Sequence, residues 1–209
     1  TVVKEGQMWY NSTSDALKVY GTGAGIATAS WASATAMTTS RRGMASAGTY
    51  NAALCIGGTP PVTGATESYN GSAWTETGDL STARYELGGA GTNTAALAFG
   101  GASPDLAVTE TFNGTAWTEV ADLNSGRQGT TGCGATNTAS ICVGGSNPAV
   151  SALTELWNGS SWTETGDLNT AREQFSATGS STSALSVGGL PPPTGTGVTE
   201  EWNGTGWTE

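Results

Sequence analysis

Histidine is missing from all 209 residues, and that absence closes off more chemistry than any motif in the chain opens. Imidazole general-base catalysis, Ser-His-Asp triads and histidine-ligated zinc or copper are excluded within these residues. Charge is scarce as well: Asp, Glu, Lys and Arg make up 11% of the chain, and the formal net charge is −10. The only lysines are Lys4 and Lys18, and the five arginines gather at one repeat position. With no basic patch to release counterions, phosphate backbones and anionic membranes are disfavoured partners. No apolar run approaches the length of a membrane span, and no signal peptide is visible. The chain opens on Thr1 and stops at Glu209 inside a repeat, so its ends are expected to be those of a fragment. Three cysteines are too few, and odd in number, for a disulfide framework. Cys55 and Cys142 stand two residues before Gly57 and Gly144, where other copies carry Ala98 and Ser186, so they read as small buried strand residues. A Cys133–Cys142 bridge across a hairpin is the geometrically demanding alternative.

What is present is repetition. TESYNGSAWTE (66–76) returns as TETFNGTAWTE (109–119), TELWNGSSWTE (154–164) and TEEWNGTGWTE (199–209). Trp74, Trp117, Trp162 and Trp207 are spaced by 43, 45 and 45 residues, and a fainter copy begins at Trp31, followed by Met37 and Arg41. Such a period in a Gly- and Thr-rich chain marks propeller blades or solenoid turns, whose units bury their apolar faces only against one another.

One unit reads as four strands. Arg84–Gly91 is a short strand softened by glycine, Thr92–Thr94 turns, and Ala95–Phe99 is an apolar run suited to a strand covered on both sides, ended by Gly100–Gly101. Val108–Phe112 alternates, Asn113–Gly114 makes the tight turn, and Ala116–Val120 returns. Four antiparallel strands per unit make a propeller blade. In residues 1–30, Gln7–Tyr10 and Ala16–Tyr20 read as a hairpin that, with a strand near Trp31, supplies three strands of a first, incomplete blade. Units starting near Trp31, Trp74, Trp117 and Trp162, the last ended by Trp207, fill residues 31–209. The expected count is five blades, with a truncated longer ring as the competing count.

A double Gly after an apolar strand, then an aromatic, a Trp and an Arg, resembles the kelch repeat. The residues that carry the likeness are Gly57–Gly58/Tyr69/Trp74/Arg84, Gly100–Gly101/Phe112/Trp117/Arg127, Gly144–Gly145/Trp157/Trp162/Arg172 and Gly188–Gly189/Trp202/Trp207. The aromatic-to-Trp separation of five is shorter than is usual for kelch, because a bare Asn-Gly turn replaces a longer loop. The resemblance implies an all-β, kelch-like propeller and leaves function open. The opening EGQMWYNSTS followed by WNG(S/T)xWTE repeats is similar to tail-fibre and other virion proteins of tailed phages, particularly marine ones. That likeness implies a protein on the surface of an extracellular particle, often an adhesin, and the histidine-free, repeat-built scaffold adds the expectation that it is non-enzymatic. Its partners would be other virion proteins and a host surface glycan or protein, with no cofactor and no metal, and homo-oligomerisation left open.

Residues repeated in every unit are expected to hold the scaffold. Arg84, Arg127 and Arg172 each follow an Asp by five residues (Asp79, Asp122, Asp167) and are read as tying one blade to the next. A guanidinium ring around a central opening, suited to a carboxylate or acidic sugar, is the functional alternative. Trp74, Trp117, Trp162 and Trp207 are read as inter-blade core rather than sugar platforms. The Asn-Gly-Ser/Thr sequons at Asn70, Asn113, Asn158 and Asn203 are read as turns, and the glutamate pairs Glu67/Glu76, Glu110/Glu119, Glu155/Glu164 and Glu200/Glu209 as solvated strand faces. No carboxylate pair stands out for glycoside cleavage, and no dense acidic cluster for calcium.

One feature escapes the repeat. All seven prolines lie in the loops after the double Gly, and the interval from the second Gly to the repeat Glu is 9, 9, 10 and 11 residues. The binding candidates are therefore Thr59, Pro60, Pro61, Pro104, Asp105, Asn147, Pro148, Pro191, Pro192 and Pro193, within loops 59–63, 103–106, 147–150 and 191–196. Variable, proline-stiffened loops on a rigid scaffold commonly form recognition surfaces. An adhesin is the leading expectation, particle decoration the alternative, and a carbohydrate-active enzyme the second alternative.

Overall fold

The structure is a computed structural model that describes residues 8–11, 16–19, 33–102, 104–190 and 194–209. It divides into two compact units, residues 1–34 and 35–209. In the first, β1 (Met8–Asn11) and β2 (Ala16–Val19) form an antiparallel hairpin with Trp9 opposite Lys18. The strand expected near Trp31 lies outside the described residues.

The second unit is all-β. Its first sheet runs β3 (Ala45–Thr49), β4 (Ala52–Gly58), β5 (Thr63–Tyr69) and β6 (Trp74–Glu76). The second runs β7 (Gly88–Gly91), β8 (Ala96–Phe99), β9 (Thr109–Phe112) and β10 (Trp117–Glu119). The third runs β11 (Thr131–Thr136), β12 (Ala139–Val143), β13 (Thr154–Trp157) and β14 (Trp162–Glu164). The fourth runs β15 (Ser176–Gly179), β16 (Ala184–Val187), β17 (Thr199–Trp202) and β18 (Trp207–Thr208). Each is a four-stranded antiparallel meander in chain order, so the described residues hold four complete sheets, and the incomplete first unit expected ahead of them falls largely outside the described residues.

Small and large residues alternate along the second strand of each sheet, and this explains the apolar run read from the sequence. Leu54 and Ile56 of β4 pack against Ala96, Ala98, Phe112 and Trp117 of the second sheet. Leu97 and Phe99 meet Cys142, Trp157 and Trp162 of the third, and Ile141 and Val143 meet Ala184, Trp202 and Trp207 of the fourth. One face of each sheet thus presents bulky aliphatic or aromatic side chains, and the other receives its neighbour on Ala, Cys or Ser plus a Trp. Burying each large side chain contributes about 2 kcal/mol.

The fourth sheet breaks the series on its far side. Ile56, Phe99 and Val143 are fully buried, whereas Val187 at the same position is 42% exposed. Thr66, Thr109 and Thr154 are buried and Thr199 is exposed. Trp74, in the first sheet, is half-buried, while Trp117, Trp162 and Trp207 are buried.

The first strands β3, β7, β11 and β15 contact one another in that order. Residues of all four (Ser46–Gly48, Gly89–Gly91, Gly132–Gly134, Ala177–Gly179) line one cavity of about 350 Å³. Their small side chains follow from crowding. A Cβ on Gly88 would come within 2.2 Å of the Phe99 ring, and one on Gly132 within 2.3 Å of it. Strand one is shorter than the sequence suggested: residues 84–87 are not part of β7, because Glu86 adopts a left-handed φ of 53° and bends the chain.

Candidate functional site

The invariant polar residues are buried in the frame. Arg41, Arg84, Arg127 and Arg172 form ion pairs with Glu67, Glu110, Glu155 and Glu200, the first three at 2.7, 2.8 and 2.6 Å, and every paired side chain is 1% exposed or less. Each Arg precedes the first strand of its sheet and reaches the Glu on the third strand of the same sheet. The second carboxylate oxygen accepts the backbone N–H of Thr38, Ser81, Asn124 or Asn169, so it also pins the segment entering the sheet. This corrects the reading of the glutamate pairs: the first member of each is buried, and only Glu76, Glu119, Glu164 and Glu209 are exposed. Period-two patterning identifies a polar face only when one face of the sheet meets water, and here both faces of the inner strands are covered.

Sheet is tied to sheet by other groups. The indole Nε1 of Trp117, Trp162 and Trp207 donates at 3.0 Å to Oγ1 of Thr66, Thr109 and Thr154 in the preceding sheet. The backbone N–H of the same three threonines donates to Asp79, Asp122 and Asp167 at 3.3, 3.2 and 3.1 Å. The Asp five residues before each Arg therefore does not pair with it. The Arg contributes to the sheet-to-sheet tie through its main chain: Gly58, Gly101 and Gly145 donate at 2.9 Å to the carbonyls of Arg84, Arg127 and Arg172. The preceding glycines make that approach possible, since a Cβ at Gly57, Gly100 or Gly144 would sit 2.5 to 2.7 Å from the same carbonyls. Each Asn-Gly turn closes as read, with the Asn70 side-chain oxygen accepting from Ser72 and Ala73 at 3.0 Å. All three cysteines are free and buried, and Cys133 faces Ile141 rather than Cys142 across the hairpin. Burial pushes the Cys133 thiol up to about 11.

The loop candidates occupy the other end of the first strands' entry segments. Pro60, Pro61, Pro104, Asn147 and Pro148 are exposed, and Thr59 and Asp105 are half-buried. Pro191, Pro192 and Pro193, with Ser103, lie outside the described residues. Two positions that sequence reasoning missed lie beside these loops. The residue after each buried Arg (Arg42, Tyr85, Gln128, Glu173) pairs its backbone with the loop residues Thr59, Ala102, Ser146 and Leu190. The residue after that (Gly43, Glu86, Gly129, Gln174) has φ of 65°, 53°, 60° and 52°. Glu86, Gly129 and Gln174 each donate a backbone N–H to the carbonyl of the previous member, at 2.6, 2.9 and 3.0 Å. A continuous line of sheet-to-sheet bonds therefore carries side chains that change from unit to unit. The signal was available in the sequence: R-R-G, R-Y-E, R-Q-G and R-E-Q vary at the two residues after an otherwise repeated Arg.

Arg42, Gly43, Thr59, Val62, Tyr85 and Glu86 line a cavity of about 280 Å³ where the first loop meets the second sheet's entry segment. Arg42 is exposed and ion-pairs with none of the described carboxylates. The fifth arginine therefore stands outside the repeated position where the sequence had grouped it. Burial, and then the nearby Glu173 carboxylate, raise the Glu86 carboxyl above its ordinary value. Among the described residues no three metal-ligating side chains converge. Compared with protein-family models and with curated proteins, the chain matches none.

Proposed function

We propose that this chain is a kelch-like β-propeller on a phage tail fibre or similar virion appendage, and that it binds the host surface through its loop face without catalysing a reaction. One observation carries this reading. The ion-paired Arg and Glu and the Asn-Gly hairpins repeat from unit to unit, whereas side chains change on the surface formed by the post-glycine loops and the residues after each buried Arg. Residues 59–63, 104–106 and 147–150, with 42–43, 85–86, 128 and 173–174, make up that surface. A rigid frame with a variable rim is the usual build of a recognition module. The test exchanges the three loops for Gly-Ser segments of equal length in the intact protein. Host adsorption is expected to fall to background while the thermal unfolding midpoint stays within a few degrees. Unchanged adsorption refutes the proposal.

The ring is part of the same proposal. A further four-stranded sheet placed against Val187 and Thr199 would repeat the packing made three times within residues 35–209, giving five blades around the hub of first strands. A second reading, particle decoration, draws on the same exposed side: Val187 and Leu190 are 42% and 44% exposed, and a neighbouring virion protein is the other partner suited to such a face. Cross-links from Val187→Cys to virion proteins rather than within the chain would favour it.

A further inference from the structure

We infer that the cavity between the first and second sheets is a subsite for a carboxylate-bearing sugar, with Arg42 taking the carboxylate, the Tyr85 ring lying along the sugar face and Glu86 accepting a hydroxyl. This rests on the loop-face reading and assigns the chemistry of one part of that face.

Three observations carry it. First, the chain is acidic, with a net charge of −10, and among its five arginines four are buried in ion pairs. Arg42 is exposed, lines the cavity and meets no described carboxylate. An exposed guanidinium with no described carboxylate partner has its donors open to an anion, and its planar fork matches a carboxylate with two parallel bonds. Second, the cavity is bounded by fixed backbone. Arg42 and Thr59 exchange hydrogen bonds at 2.8 and 3.0 Å, and Glu86 donates to Gly43 at 2.6 Å. Little backbone ordering therefore remains to be done when a ligand enters. Third, Glu86 holds a strained conformation. The same place is Gly43 and Gly129 in the first and third units, which adopt φ of 65° and 60° freely, whereas Glu86 at φ 53° and Gln174 of the fourth unit at φ 52° bear side chains there. Of these two non-glycine residues kept in this region at a cost in stability, Glu86 is the one that lines the cavity. Glu86 lines the cavity beside Tyr85, Thr59 and Val62, a half-polar, half-apolar wall suited to a pyranose, whose C–H face is apolar and whose rim is hydroxylated.

The test uses the whole chain with trigalacturonic acid as probe and its carboxyl-reduced trisaccharide as control, by titration calorimetry. The parent protein is expected to bind the acid at least tenfold tighter than the reduced control, and more weakly as salt rises from about 0.05 to about 0.5 M. Arg42→Ala is expected to lose on the order of tenfold in affinity, and Arg42→Lys to recover part of it. Glu86→Gly separates binding from folding: it should raise the unfolding midpoint by relieving the backbone and still weaken the sugar. Equal binding of acid and reduced sugar, no binding of the acid, or an Arg42→Ala protein that binds like the parent each overturns the inference. Loop exchanges that abolish host adsorption while Arg42→Ala changes nothing would sink this subsite alone. Loop exchanges that leave adsorption intact while Arg42→Ala loses the trisaccharide would sink the loop-face reading instead.

Discussion

Arg127 and Glu155 meet at 2.6 Å with their side chains sealed from solvent. Removing one partner leaves the other charge buried and alone, so Arg127→Met should cost about 3–5 kcal/mol. The Nε of Arg127 is itself without a hydrogen-bond partner, so the pair is imperfectly satisfied. The double variant Arg127→Met/Glu155→Leu should therefore recover part of that loss, the remainder reflecting the Asn124 N–H left without its acceptor, read as urea midpoints of the three proteins. The indole–hydroxyl bond of Trp162 to Thr109 should show a coupling of about 1 kcal/mol in a double-mutant cycle with Trp162→Phe and Thr109→Val. Glu86 sets a pH dependence. Its folded-state carboxyl is raised, so the folded protein binds more protons than the unfolded chain, and stability is lost as pH rises from the ordinary carboxylate value through the raised one. Glu86→Gln should unfold at higher urea than the parent at pH 7, with the difference gone below about pH 4. These residues were unevenly legible. The recurrence of Arg and Trp marked them as frame, but the partners were not readable. An Asp stands five residues before each of Arg84, Arg127 and Arg172, yet Asp79 accepts the backbone N–H of Thr66 while Arg84 pairs with Glu110.

At the scale of a strand or turn, the sequence was a closer guide. The hairpin Tyr69–Trp74 forms around Asn70–Gly71 in the register that the turn demands, and the same pairing recurs in the other three sheets. Local chemistry suffices there, since the Asn side chain and the glycine conformation define the turn without help from tertiary contacts. The first strands were less legible. Their boundaries depend on the left-handed bend after each buried Arg, and nothing in R-Y-E announces a positive φ. Gly88 is where strand and neighbour meet most closely, with no space for a Cβ beside Phe99. Gly88→Ala should destabilise by about 1–3 kcal/mol through overpacking, and Phe99→Leu in the same chain should restore part of it, measured by thermal unfolding.

For the molecule as a whole, period and composition identified an all-β array of four-stranded sheets, because each unit carries the same alternation of small and large residues that stacking requires. The four complete units were legible from their Trp, Glu and Arg, whereas the first thirty residues do not repeat the pattern and the faint copy at Trp31 lacks its Glu. One interface, Trp to Thr with bulky residues against small ones, is used between the four successive sheets, and the proposed propeller continues it around a common hub. An electron cryomicroscopy map of the intact protein at side-chain resolution tests it most directly. The expected map shows a further sheet packed on Val187, with an indole donating to the Thr199 hydroxyl and β3, β7, β11 and β15 surrounding the axis. A map in which Val187 and Thr199 face solvent, or in which the first strands do not share a hub, contradicts it.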